Sequence, residues 1–308
     1  MPKDYAIGID IGGTNLRVAS VSRDGSIIKK LKEPTTDNVK DSIKKAVASL
    51  MDDNVAGIGI GVAGIIDRKA KRIIVSPNIP SLNGQAMDDI AGGVPVVVEN
   101  DANAAALGEK HLGAGKDFNN FILMTLGTGI GGGIIYGGKL LNVASEVGHM
   151  SLESAGQKCP CGNNGCLELY ASARAITGFV TKAIEKGTES ILKDYCSGNI
   201  YKLTPEDVYK AAFEGDTLSR EALKEAGKYL GVGIANLINI MSPDAILLTG
   251  GLTGAWDIYI AEAIKEASKR AIKSLFEKVR IIPAQLGDDT GILGASQLVF
   301  QEEHSLQS

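Results

Sequence analysis

The sequence has no basic excess: 32 Lys and Arg are outnumbered by 36 Asp and Glu, giving a formal net charge of −4. A protein that binds by neutralising phosphates of nucleic acid needs the opposite balance or a basic patch, so no nucleic-acid partner is expected. No run of 18 apolar residues occurs, which excludes a membrane-spanning helix and a membrane partner of that kind. Met1-Pro2-Lys3-Asp4 leads straight into a strand-like segment, so no signal peptide is expected and the protein reads as cytoplasmic. Cysteine is scarce, with four in 308 residues, too few for a disulfide framework. Three of the four fall within eight positions, and in an intracellular chain such clustering favours a metal over disulfide pairing.

What is present is ordinary in bulk and unusual in one residue. A length of 308 residues predicts two domains. Hydrophobic residues at 44% and charged residues at 22% are typical of a soluble globular chain with a large core. Glycine is the exception: 38 of 308 residues, about 12% against a typical ~7%. The glycines sit in short apolar contexts instead of linkers, which points to tight turns or close ligand approach.

The pattern along the chain is α/β. Tyr5–Asp10 and Leu16–Ser22 read as strands joined by a glycine turn, with a third strand after Asp24-Gly25. Val39, Ile43, Ala46, Val47 and Leu50 fall at helical spacing within Asp37–Met51. Val55–Val62 and Val94–Val98 are buried-type strands, and Asp101–Leu112 is an Ala-rich helix. From Phe118 the opening design repeats, with a glycine turn at Gly127–Gly133. A Gly/Cys/Asn-rich loop at 149–168 precedes several helices, one of which opens at Thr204-Pro205. A long helix is expected over about Asp216–Met241, a strand at Ala245–Thr249, a helix at Ile258–Phe276, a strand at Val279–Pro283 and a last helix at Thr290–Val299. The expectation is two related α/β domains around a cleft, 1–113 and 114–289, with the final helix 290–302 packing back on the first.

Three glycine turns suit a nucleotide. Asp10-Ile11-Gly12-Gly13-Thr14-Asn15 puts a carboxylate at a strand end, then bare amides and a hydroxyl that can meet phosphate oxygens. Asp10 suits Mg²⁺ held through water. Gly127-Thr128-Gly129 is the matching turn of the second half, and Gly250-Gly251 ends a strand where an adenosine would fit. Each of the first two reads equally well alone as a plain hairpin turn. Neither is a Walker loop or a dinucleotide fingerprint. Together, in corresponding places, the three favour a nucleotide held between the domains.

Two further constellations stand out. Asp101 opens a helix after a buried strand; by position alone it is a helix cap first and a cleft carboxylate second. His149, Cys159, Cys161 and Cys166 form a Cys₃His set suited to a structural Zn²⁺, since four protein ligands leave no open position. Cys166 would then anchor the turn that carries Glu168. Cys196 reads as an inert thiol, and His111 and His304 suggest no partner.

The motifs D-I-G-G-T-N at Asp10, E-N-D-A-N-A-A-A-L-G-E at Glu99–Glu109, L-G-T-G-I-G-G-G from Leu126, E-V-G-H at Glu146–His149 and C-P-C-G-N-N-G-C-L-E at Cys159–Glu168 resemble the ROK family over essentially the whole chain. That family comprises sugar kinases and sugar-responsive repressors of the actin-like ATPase (ribonuclease H-like) fold. The resemblance implies ATP- and Mg²⁺-dependent phosphorylation of a hexose at its 6-hydroxyl, with glucose first and Asp101 as general base. It implies sugar contacts from Gly64, Asn78, Asn100, Glu146, His149 and Glu168. It places the nucleotide on Asp10, Gly12, Gly13, Thr14, Asn15, Gly127, Thr128, Gly129, Gly250 and Gly251, and implies a homodimer or homotetramer. Glu146 makes the form common among ROK glucokinases, whereas some N-acetylmannosamine kinases carry His there. Two departures bear on selectivity: the segment 138–145 is shorter than the usual glucokinase pattern, and Leu82 stands where many glucokinases have Trp. The alternatives are an N-acetylmannosamine or other hexose kinase, a repressor, and a non-catalytic sugar sensor. A repressor would carry a DNA-binding domain ahead of a first strand that here begins near residue 5, and the intact Asp10, Asp101 and phosphate turns speak against a mere sensor.

Overall fold

The computed structural model describes residues 4–90 and 93–307. In chain order it runs β1 (Tyr5–Ile11), β2 (Asn15–Ser22), β3 (Ile27–Pro34), α1 (Val39–Leu50), β4 (Val55–Val62), β5 (Ile65–Asp67), β6 (Arg72–Val75), β7 (Val96–Asn100) and α2 (Asp101–Leu112). β8 (Phe121–Leu126), β9 (Ile130–Tyr136) and β10 (Lys139–Leu140) follow. The helices α3 (Glu168–Ala171), α4 (Ala173–Glu185), α5 (Leu192–Tyr195), α6 (Pro205–Phe213) and α7 (Thr217–Met241) come next. The chain closes with β11 (Ala245–Thr249), α8 (Ala261–Arg270), α9 (Lys273–Phe276), β12 (Arg280–Pro283) and α10 (Thr290–Gln307).

One sheet has the order β3-β2-β1-β4-β7, a second β10-β9-β8-β11-β12, and β5 pairs with β6 alone. β1, β2 and β3 are antiparallel neighbours, whereas β1, β4 and β7 are parallel. β4 is buried at every position, as a central parallel strand must be when both faces are covered. One face carries Ile7, Ile9, Ile58 and Ile60 into a core closed by Val39, Ile43 and Val47 of α1. The other face presents Gly8 and Gly59. A Cβ there would stand 2.1 Å from the Ile292 carbonyl oxygen and 1.7 Å from that of Ala295. Glycine at these alternate positions lets the α10 backbone lie directly on β1 and β4.

The chain divides into two compact units. The first takes the chain up to Leu123, Gly133–Ser145 and everything from Ala284 onward; the second takes Met124–Gly132 and Glu146–Pro283. The expected boundary at residue 113 falls inside the first unit.

Several local expectations are refined. The Thr204-Pro205 start is a complete capping box: the Thr204 hydroxyl accepts from the Asp207 N–H, and the Asp207 carboxylate accepts from the Thr204 N–H. The single helix expected at Ile258–Phe276 is broken. A 3₁₀ turn (Gly251–Ala255) and a π turn (Trp256–Ile260) lead into α8, and Ala271 is extended before α9. The break has a tertiary partner: Asn239 Oδ1 on α7 accepts the Ile272 N–H at 2.9 Å. The glycine turn expected at Gly127–Gly133 is only Gly127–Gly129, and its later glycines lie in β9. There a Cβ on Gly133 would stand 2.5 Å from the Ala102 carbonyl oxygen of α2. The last helix runs to Gln307, beyond the expected Val299. No helix among the described residues is long and apolar enough to cross a membrane.

Candidate active site

Strand register sets the first cluster. Asp10 of β1 is level with Gly61 of β4, and Gly61 is level with Glu99 of β7. Asp10 and Glu99 are therefore two strand spacings apart, about 10 Å at ~4.8 Å each. Asp101 comes two residues after Glu99, its Cα 3.6 Å from where a Cβ on Gly61 would stand. Both aspartates lie at the carboxyl edge of one parallel set, the edge at which α/β sheets take ligands.

Asp10 is mostly buried and pairs with Arg17 of β2 at 3.0 Å. Burial raises its carboxyl above the ordinary carboxylate range, and Arg17 offsets only part of that. It also faces the start of α10, where a Cβ on Gly291 would stand 2.6 Å from its carboxyl carbon. The glycine turn that follows is closed on itself: the Gly12 N–H donates to the Asn15 carbonyl at 3.0 Å, and the Thr35 hydroxyl donates to the Gly12 carbonyl at 2.6 Å. Gly13 and Thr14 are exposed at its tip. A Cβ on Gly13 would lie 3.2 Å from the Asn78 Cβ, so this turn and Asn78 are neighbours.

The cap of α2 is Asn100, and Asp101 is the first helical residue. Asn100 Oδ1 accepts from the Ala102 and Asn103 N–H groups at 2.9 and 3.3 Å. Its Nδ2 donates to the Gly64 carbonyl at 3.2 Å, which joins two residues singled out separately in the sequence. The position-based reading of Asp101 as the cap is thus replaced by its neighbour. Behind this corner lies a network that the sequence did not reveal. The Glu99 carboxylate, almost wholly buried, accepts from Arg68 through Nε and, at 2.9 Å, through Nη2. Its Oε1 also accepts from the Asn100 N–H at 2.8 Å and Asn103 Nδ2 at 3.1 Å.

The second unit has its own cluster. The Gly127 N–H donates to the Gly129 carbonyl at 3.0 Å, closing the turn that carries Thr128. Glu168, first residue of α3, lies against it: Oε2 accepts from the Ile130 N–H at 3.1 Å and stands 2.3 Å from the place of a Cβ on Gly129. Gly250, with φ +101°, leads the third glycine turn past the same strand end, its would-be Cβ 2.4 Å from the Leu126 carbonyl oxygen. A side chain at Gly250 is excluded by both torsion and space. Glu146 faces His149, Oε2 to Nε2 3.9 Å. Burial raises the Glu146 carboxyl, His149 opposes the shift, and the nearby charge of Glu168 adds to it. Glu146, His149 and Glu168 are therefore one group.

His149 also belongs to a set that could hold a metal ion. The ligand atoms of His149, Cys159, Cys161 and Cys166 lie within 4.8 Å of one another. Cys159 Sγ is 3.7 Å from His149 Nδ1, and Cys161 Sγ is 3.7 Å from Cys166 Sγ. A Zn–S bond of ~2.3 Å gives a tetrahedron with edges of about 3.8 Å, so donors and spacing fit zinc. Burial pushes the Cys166 thiol up to about 12 and raises Cys159, while a backbone hydrogen bond from Asn163 lowers Cys161.

Comparison with known proteins agrees with these motifs. Over 326 aligned residues the chain is 33% identical to a glucokinase of Halalkalibacterium halodurans, covering 100% of this chain and 98% of that one. It is 30% identical to a xylose repressor of Caldicellulosiruptor bescii, covering 96% of this chain and 78% of the repressor. The crystal structure of a ROK family glucokinase from Streptomyces griseus, in complex with glucose and AMPPNP, superposes with a TM-score of 0.85 at 34% identity. That superposition covers 96% of this chain and 99% of the other, and the shared architecture is the actin-like ATPase fold. The ROK family profile matches residues 6–302, and this chain belongs to the ROK family.

Proposed function

We propose that the chain transfers the terminal phosphoryl group of ATP to the 6-hydroxyl of a hexose, with glucose as the preferred substrate. It is a sugar kinase of the ROK type. The reading rests above all on the register that sets Asp10 two strand spacings, about 10 Å, from the end of β7 that leads into Asp101. Phosphoryl transfer through a loose transition state needs positioning and charge neutralisation more than covalent chemistry, and two carboxylates on one sheet edge divide that work. Asp101 accepts the proton of the attacking hydroxyl. Asn100, Gly64 and Asn78 orient the sugar, Glu146 and Glu168 accept hydrogen bonds from its other hydroxyls, and His149 donates from Nε2. Gly12 and Gly127 close their turns, which present the amides of Gly13 and Thr14, with Asn15, and those of Thr128 and Gly129 to phosphate oxygens. Gly250 and Gly251 leave room for the adenosine. Asp10 would hold Mg²⁺ through water, and the ion would supply charge neutralisation at the phosphates. His149 Nδ1 and the three thiolates would hold a structural Zn²⁺, leaving Nε2 for the sugar side.

Glucose is favoured by Glu146 in the E-V-G-H motif and by the similarity to glucokinases. Free thiols at a zinc site suit the reducing cytoplasm. The resemblance also supports a homodimer or homotetramer. A second reading, a sugar sensor without turnover, is favoured by the similarity to the xylose repressor. An ADP-release assay with ATP and Mg²⁺ separates the two, run against glucose, fructose, mannose, N-acetylglucosamine and N-acetylmannosamine. The expected result is the highest kcat/KM for glucose. A higher value for another sugar keeps the kinase and reassigns its substrate, and turnover of none of the five selects the sensor.

A further inference from the structure

Arg68 sits in the turn between β5 and β6, 31 residues before the Glu99 carboxylate that it meets. Its guanidinium forks onto the buried Glu99 carboxylate and reaches past it: Nη2 also donates to the Val143 carbonyl at 3.3 Å. Asn103 does the same from α2, donating through Nδ2 to Glu99 Oε1 at 3.1 Å and to the Val143 carbonyl at 3.3 Å. Glu99 Oε1 in turn accepts the Asn100 N–H. Beyond the β5–β6 turn and the β7–α2 corner, the network reaches the Gly64 carbonyl through Asn100 Nδ2 and, through Arg68 and Asn103, a carbonyl in the short segment after β10.

That segment has little else among the described residues to hold it. The Leu141 N–H donates to the Ile134 carbonyl at 2.8 Å, and the Val143 N–H folds back on Leu141 at 2.9 Å. Asn142, Val143 and Ala144 are exposed, and Ser145 takes the left-handed conformation with φ +53°. The Val143 carbonyl is therefore the point at which this segment is fixed to the corner carrying Asn100 and Asp101. A loop pinned by a charge-assisted fork keeps one position, whereas an unpinned loop can re-pack around different ligands.

We propose that Arg68 is a specificity-determining positioning residue: through Glu99 and the Val143 carbonyl it latches the 141–145 segment to the Asn100–Asp101 corner, and so restricts which hexoses are accepted. The proposal rests on the sugar-kinase reading. Arg68 acts through its neighbours: it fixes the segment beside the Asn100–Asp101 corner, and it holds the carboxylate that accepts the Asn100 N–H.

The test compares wild type with Arg68→Lys and Arg68→Ala over the same five sugars, together with KM for ATP and the melting temperature. Lysine keeps a cation beside the buried Glu99 but cannot supply a planar fork and a third donor at once. A merely structural role is therefore rescued by lysine, and a latch is not. The expected result for Arg68→Lys is a melting temperature close to wild type and an ATP KM within about twofold. The kcat/KM ratio of the best sugar over the others should fall by about fivefold or more, a change of the size that pocket contacts typically make. Arg68→Ala should show the same loss of discrimination, with lower stability. An unchanged sugar ratio in Arg68→Lys, with wild type active, overturns the latch and leaves the kinase reading standing. Wild type inactive on all five sugars removes the kinase reading and the latch with it.

Discussion

His149 Nε2 stands 3.9 Å from Glu146 Oε2, while its Nδ1 is turned to Cys159 Sγ at 3.7 Å. One imidazole thus joins a metal-binding set to a carboxylate assigned to the sugar. A metal held by Nδ1 would fix the ring orientation and the tautomer, so that Nε2 would keep its direction toward Glu146.

Removing the metal should therefore be felt at the sugar. Chelation, or Cys161→Ser, is expected to lower the melting temperature and raise the sugar KM, with a smaller change in the ATP KM. Because burial raises Cys159 and Cys166, protons compete with the cation, and zinc retention should fall as pH is lowered. Metal content measured after dialysis at stepwise lower pH follows this directly. A chain that carries no zinc when purified without chelators, yet melts and turns over normally, contradicts the assignment.

Glu168 separates two effects that its position combines. Its Oε2 accepts the Ile130 N–H beside the Gly127–Gly129 turn, so the side chain supports that turn, and in the proposed function it also offers charge to a sugar. Glu168→Gln keeps an oxygen for Ile130 and loses the charge. It should raise the sugar KM by roughly tenfold or more, as expected for a hydrogen bond to a charged group of ~1.5–3 kcal/mol, with the ATP KM little changed. Glu168→Ala loses both and should raise both KM values. Steady-state kinetics that show only an ATP effect in Glu168→Gln would remove Glu168 from the sugar.

The parts of the site legible in the sequence are those built from neighbours in the chain. The glycine turns and the Cys₃His set announce themselves by local spacing, and the strand–turn–strand opening needs no distant partner. The Arg68–Glu99 fork is not legible, because 31 residues separate its members and neither residue type is rare on a surface. The break before α9 is set by Asn239, 33 residues earlier, which no periodicity records. Asn100 and Asp101 are both good capping types, and only the backbone of the β7–α2 corner decides between them. The hairpin β5–β6 escapes a sequence reading for its brevity, with strands of three and four residues.

Glu109 holds structure without touching the chemistry. It is fully buried, and three backbone N–H groups converge on it: Ala114 on Oε2 at 2.7 Å, and Gln285 and Leu286 on Oε1 at 3.0 and 2.8 Å. The carboxylate thereby ties the end of α2 to the segment leading into α10. Glu109→Ala leaves those donors without their acceptor and should cost about 3–5 kcal/mol, or a melting shift on the order of 10 °C. Glu109→Gln retains one oxygen for Gln285 and Leu286 and should lose less. Equal melting temperatures for wild type and Glu109→Ala contradict this role.

Asp10 is expected to trade stability for function. Burial raises its carboxyl above the unfolded value, so the native state holds a proton more readily than the unfolded chain. As pH rises through that interval the native state must give up the proton in a poorly solvated place, and its stability falls. Asp10→Asn removes the penalty. The variant should melt at or above wild type at pH 7, and the gap should close as the pH approaches the ordinary carboxylate range, where both side chains are neutral. Turnover should be lost, since no carboxylate remains for Mg²⁺. A lower melting temperature for Asp10→Asn than for wild type at pH 7 would mean that the Arg17 pair outweighs the burial.

Asp101→Asn isolates the proton acceptor. Asparagine keeps the size of the side chain and an oxygen that can accept the Ala102 N–H, as Oδ1 does at 2.9 Å. The capping of α2 by Asn100 is independent of the change, so the fold and the corner should survive. What is lost is the carboxylate that, in the proposed function, takes the hydroxyl proton as the new bond to phosphorus forms. General-base catalysis contributes ~10²–10⁴-fold, so kcat should fall by that order while glucose binding by calorimetry changes little. A variant that binds glucose and turns over at the wild-type rate removes Asp101 as the base. One that binds neither glucose nor any other hexose moves its role from proton transfer to sugar binding.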